Sequence, residues 1–132
     1  MGGPAPELLL LTAAVVVGLV QLFWATLATR GRGDLNWAAG PRDEPMPVTG
    51  GAGRLDRSFR NFMETFPLHA AVVIIAYLAA KLSDLTLWGG ALYVVGRAFH
   101  PILYLVAIPY LRTLAWAVAF TGTLMVTTAI FL

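Results

Sequence analysis

The sequence predicts an all-α integral membrane protein, a four-transmembrane-helix bundle in a single domain spanning residues 1–132, and three observations predict it. Hydrophobic residues make up 58% of the chain and charged residues 12%, about half the charged share of a soluble domain. Four apolar runs approach the roughly 20 residues that a spanning helix needs. The charges are not scattered: six of the nine basic residues lie between Arg30 and Arg60, with acids among them. That distribution gives no basic stripe with interleaved aromatics, so nucleic acid is not an expected partner. With no cysteine, the chain has no disulfide, no thiolate nucleophile and no cysteine metal site. Two histidines without an acid cluster predict no metal.

The first helix is expected over residues 8–29, an uncharged run whose flank has no Lys or Arg and no small-residue cleavage pattern, so it reads as a retained span. Gln21 is its one strongly polar interior residue, suited to interhelical packing or to touching a ligand. Residues 30–54 bring recurrent Gly and Pro with charges of both signs, which predicts a long loop. The second helix is expected over 55–81. Pro67 interrupts its hydrogen bonding at the carbonyl of Met63. The third is expected over 85–108, with Pro101 freeing the carbonyl of Arg97. Pro109 to Arg112 reads as a tight connection, and the fourth helix as 112–132. The first and third loops hold Arg30, Arg32, Arg42, Arg54, Arg57 and Arg112, whereas the opposite side holds only Lys81. The positive-inside rule therefore makes those loops cytoplasmic and both termini external.

Charged side chains at membrane depth cost about 2.5–3.5 kcal/mol each unless they pair or face a cavity, so the polar residues of the second and third helices stand out. Arg57, Asn61 and Glu64 share one helical face, with Arg60 beside it, and Arg97, His100 and Tyr104 share another. One reading is structural: Arg57 or Arg60 pairs with Glu64, and Arg97 caps a freed carbonyl. The other is an anion site. There the arginines would hold carboxylates, Asn61 and Tyr104 would add neutral donors, and Glu64 would orient an arginine or accept from an ammonium group. A ligand carrying two carboxylates, an ammonium and a thiol matches that set, and an arginine beside the thiol favours its anion. His69 and the four tryptophans read as packing or interfacial residues.

These patterns resemble the MAPEG family, the membrane-associated proteins in eicosanoid and glutathione metabolism. The family's second helix carries Arg, three residues, Asn, two residues, Glu and then an aromatic-Pro pair; here these are Arg57, Asn61, Glu64 and Phe66-Pro67. Its prostaglandin E synthases carry Arg, two residues, His, three residues, Tyr on the third helix, similar to Arg97, His100 and Tyr104. Arg112-Thr113 is similar to the opening of their fourth helix. Thr65 stands where the leukotriene-forming members have a tyrosine. The loop from Trp37 to Pro47 resembles a bacterial subgroup, which implies the inner (plasma) membrane rather than eicosanoid synthesis.

The resemblance implies a homotrimer with glutathione, as co-substrate, held between neighbouring subunits. Arg57, Arg60, Asn61, Glu64, Arg97, His100, Tyr104 and Arg32 (or Arg30) are the expected glutathione ligands, and Arg112 the catalytic residue that stabilises the thiolate. The expected activity is that of a glutathione transferase or glutathione-dependent peroxidase. A small lipophilic electrophile or hydroperoxide would arrive from the membrane lipid. A binding or scaffold protein of the same fold without turnover is the alternative.

Overall fold

The computed structural model describes residues 2–30, 35–45 and 48–132. Among them the chain forms five helices and no strand: α1 (Pro6–Arg30), α2 (Leu35–Ala39), α3 (Gly50–Leu78), α4 (Asp84–Leu105) and α5 (Pro109–Phe131). By length and composition α1, α3 and α5 can cross a membrane. α4 has 22 residues, about 33 Å at 1.5 Å each, and carries Asp84, Arg97 and His100. Large apolar side chains face outward along the helices, Phe23 at 68%, Leu68 at 66% and Leu78 at 76% exposure among them, as hydrocarbon surroundings allow.

Several boundaries differ from expectation; α3 ends at Leu78 rather than 81 and α4 at Leu105 rather than 108. α3 starts five residues early, at Gly50, with Thr49 as its extended N-cap, and the loop before it contains the short α2. Ala52, Gly53 and Leu55 are buried, so packing overrides the poor helix propensity of the glycines. Pro109 is the first residue of α5 rather than part of a turn, because a proline lacks only an N–H that the first helical turn leaves unused. α3 and α4 both end by the same device. Lys81 N donates to Ala76 O at 2.8 Å and Ile108 N to Leu103 O at 3.3 Å, closing six-to-one loops. The residues in the left-handed conformation are Ala80 (φ 54°) and Ala107 (φ 59°), not glycines.

The helices α4 and α5 form the tightest pair, and small residues make it so. A Cβ at Gly96 would lie 2.6 Å from Ala115 O, and one at Gly89 would lie 2.7 Å from Gly122 O. One apolar cluster joins Ala14, Tyr93 and Ala119, with Phe66 packed on it; a second joins Val73, Ala76 and Val126. Several polar groups inside the bundle are bonded to one another, whereas Gln21 Oε1 and Arg97 Nε have no hydrogen-bond partner among the described residues. Tyr93 stacks on His69 with ring centroids 3.8 Å apart, its hydroxyl is 3.1 Å from Thr65 Oγ1, and His69 Nδ1 is 3.0 Å from Thr123 Oγ1. At the end where α1 and α4 begin, Thr86 Oγ1 accepts from Ser83 N at 2.8 Å. Its single proton lies between Glu7 Oε1 at 2.8 Å and Ser83 O at 2.7 Å.

Candidate functional site

The opposite end of the bundle is built differently. There the N-terminal half of α3, the C-terminal half of α4 and the start of α5 enclose a cavity of about 450 Å³. Its walls are Arg57, Arg60, Asn61 and Glu64 from α3, His100 and Tyr104 from α4, and Arg112, Thr113 and Trp116 from α5. Helical spacing explains the convergence: 57, 60/61 and 64 form one stripe, 100 and 104 another, and 112 and 116 a third. The volume lies within the roughly 300–1,000 Å³ of small-molecule sites.

Tyr104 is the centre of the cation cluster. Its hydroxyl accepts from Arg57 Nε at 3.2 Å, and the Arg112 guanidinium carbon lies 4.4 Å from its ring centroid, within cation–π range. His100 Nδ1 is hydrogen-bonded to Ser58 Oγ at 2.8 Å, which leaves Nε2 as the nitrogen it can offer to a ligand. Arg60 Nη2 pairs with Asp56 Oδ2 at 2.9 Å, one turn back on α3. Glu64 is exposed and has no hydrogen bond or ion pair among the described residues. The structural reading, with Glu64 paired to Arg57 or Arg60, is therefore not what the chain adopts: Arg60 takes Asp56 and Arg57 takes Tyr104.

Arg97 does not line the cavity. It is fully buried behind the wall, where Nη1 donates to Asn61 Oδ1 at 2.8 Å and Nη2 reaches Ser58 O at 3.5 Å. Phe62 lies beneath it, its ring centroid 5.5 Å from the guanidinium carbon. The Arg97 carbonyl, freed by Pro101, receives Gln21 Nε2 of α1 in a long 3.4 Å bond, so Gln21 serves as packing glue. Arg97 thus fixes Asn61, and Gln21 fixes the level of α4 at which both sit. Arg32 lies outside the described residues, as does the side chain of Arg30. Two wall residues were not among the expected ligands. Trp116 sits one turn beyond Arg112, so helical spacing would have pointed to it; Thr113, the next residue round the helix, carried no such signal.

What this arrangement can do chemically follows from its charges. Three guanidinium groups and one carboxylate face a single space, with neutral donors at Asn61 and Tyr104; the Thr113 hydroxyl gives its proton to Pro109 O at 3.1 Å and can only accept there. It suits a small ligand that carries anionic groups and one cation.

A family model described as the MAPEG family matches residues 9–132, nearly the whole chain. No curated protein and no solved structure matches the sequence at the threshold used.

Proposed function

The chain belongs to the MAPEG family and is an integral membrane protein, and from that premise we propose that it binds glutathione in the α3–α4–α5 cavity and uses it on lipophilic electrophiles or hydroperoxides. One observation carries the reading. Seven residues picked out in the sequence, Arg57, Arg60, Asn61, Glu64, His100, Tyr104 and Arg112, line one cavity. The donor set fits the ligand: Arg57 and Arg60 for carboxylates, Glu64 for the ammonium group, Asn61 and His100 for peptide groups. Arg112, at the ring of Tyr104, is the cation placed to hold negative charge on sulfur. In conjugation the sulfur forms a bond to an electrophilic carbon and the thiol proton goes to the leaving group or to the new anion. In peroxide reduction two thiols become a disulfide while the hydroperoxide becomes an alcohol and water. The protein contributes proximity and charge stabilisation, and forms no covalent bond to substrate.

On the same reading α4 spans the membrane as a fourth helix, the arginine-rich loops face the cytoplasm of a bacterial inner membrane, and three copies assemble. Assembly would let the α1 end of a neighbour, with Arg30 and Arg32, close the cavity.

The test is calorimetric titration of glutathione into the purified protein in detergent, with Arg57→Ala beside it. Saturable binding weakened by Arg57→Ala is the expected result; a folded protein that takes up no glutathione ends this reading. Arg112→Ala then separates an enzyme from a binding protein. The enzyme keeps binding and loses turnover with a model electrophile, whereas a binding protein has no turnover to lose.

A further inference from the structure

A second cavity, of about 240 Å³, lies on the other side of Tyr104, at the turn from α4 to α5. Arg54, Arg57 and Arg112 line it, and among the described residues no acid does. The nearby acids are engaged or elsewhere: Asp56 pairs with Arg60, and Glu64 lines the first cavity. Arg54 spends Nε on Leu105 O at 3.1 Å, which leaves its two terminal nitrogens. Arg57 spends Nε on Tyr104, and the Arg112 guanidinium lies over that ring. Three guanidinium groups thus meet, and among the described residues no carboxylate lines the same space. The remaining wall is apolar, with Leu103, Ala107 and Ile108, and Val106 and Leu111 are exposed beside it.

From this we infer that the second cavity binds a phosphate-bearing anion, its apolar rim fitting the headgroup of an anionic phospholipid. Guanidinium forks match phosphate oxygens in a bidentate way. A cluster of arginines at the end of membrane helices is also where anionic lipid accumulates. The apolar rim would receive the start of the acyl chains, which a free phosphate does not have. The second space shares Arg57, Tyr104 and Arg112 with the first, so the inference is tested without a thiol and through Arg54 and Ala107, which the first cavity does not use.

The experiment is native mass spectrometry of the full chain in detergent, titrated with phosphatidylglycerol, phosphatidylcholine or inorganic phosphate. Two substitutions accompany it. Arg54→Gln removes the one arginine that the first cavity does not use. Ala107→Asp puts a carboxylate into the wall at a left-handed position that Asp tolerates, with Ala107→Asn as its neutral control. We expect the protein to retain phosphatidylglycerol over phosphatidylcholine. Arg54→Gln and Ala107→Asp should each lower that retention about fivefold, the value of one cationic contact at a membrane surface, while Ala107→Asn does not. Preference for phosphatidylglycerol that inorganic phosphate fails to displace supports the lipid headgroup as the source; binding of inorganic phosphate alone supports a free anion. Equal retention of both lipids with no phosphate binding overturns the site. So does a preference that both substitutions leave intact. Loss of glutathione affinity in lipid-free Arg54→Gln, matching the loss of lipid, would also overturn it by making this space part of the thiol site.

Discussion

Glu7 and Glu64 occupy opposite ends of the bundle and are treated in opposite ways. Glu7 is 6% exposed, sits in the first turn of α1 where a negative charge is favoured, and holds the hydroxyl of Thr86 at the start of α4. Glu64 is exposed beside Arg57, Arg60 and Arg112 and is bonded to none of them. At the first end Glu7, Ser83 and Thr86 bond to one another. The second holds more charge and spends less of it internally. That surplus of charge at the second end is what the proposed ligand site would use.

The contrast can be broken or sharpened by substitution. Arg112→Ala should act on chemistry alone. We expect turnover to fall about 10²–10³-fold, roughly 3–4 kcal/mol of lost charge stabilisation, with the thermal midpoint unchanged; a fall in the midpoint instead would make Arg112 part of the architecture. Asn61→Leu should act on both properties, since Asn61 lines the cavity and accepts from buried Arg97. Losing a hydrogen bond to a buried charge costs about 1.5–3 kcal/mol, so detergent melts and glutathione titrations should both shift. Thr86→Val should act on stability alone, by about 1–2 kcal/mol, because it leaves the Glu7 carboxylate without its hydroxyl. Any change in glutathione affinity there would show that the two ends are coupled. The smallest effect belongs to Arg60→Ala, whose ion pair with Asp56 is largely solvated: about 0.3–0.5 kcal/mol in stability. Its glutathione affinity should nevertheless drop, and an unaltered titration would remove Arg60 from the ligand set.

Much of the cavity was legible because helical periodicity decides which residues share a face. Arg57, Asn61 and Glu64 had to line up, and so did His100 and Tyr104. What the sequence hid was partner choice. Arg97 lies on the same stripe as His100, but it is one turn deeper, where no water reaches it, and it turns to Asn61 instead of a ligand. Tyr93 carried no signal as a lone tyrosine in an apolar run, yet it is buried because its hydroxyl finds Thr65 and its ring finds His69. The early start of α3 was hidden by its glycines, which read as loop. Gly53 is needed there for closeness: a Cβ would lie 2.8 Å from the carbonyl of Val48, where the chain folds back over the helix it is about to enter. Whether a glycine marks freedom or contact depends on a neighbour that local sequence does not specify.

The alanine at 107 has a consequence of its own. A left-handed L-residue costs about 1–2 kcal/mol that glycine would not incur, and a methyl group also leaves the joint fewer alternative conformations. The α4–α5 corner therefore works less as a swivel than as a set square. Its angle is written into backbone handedness at Ala107, and Arg112, five residues further on, is carried back over the ring of Tyr104.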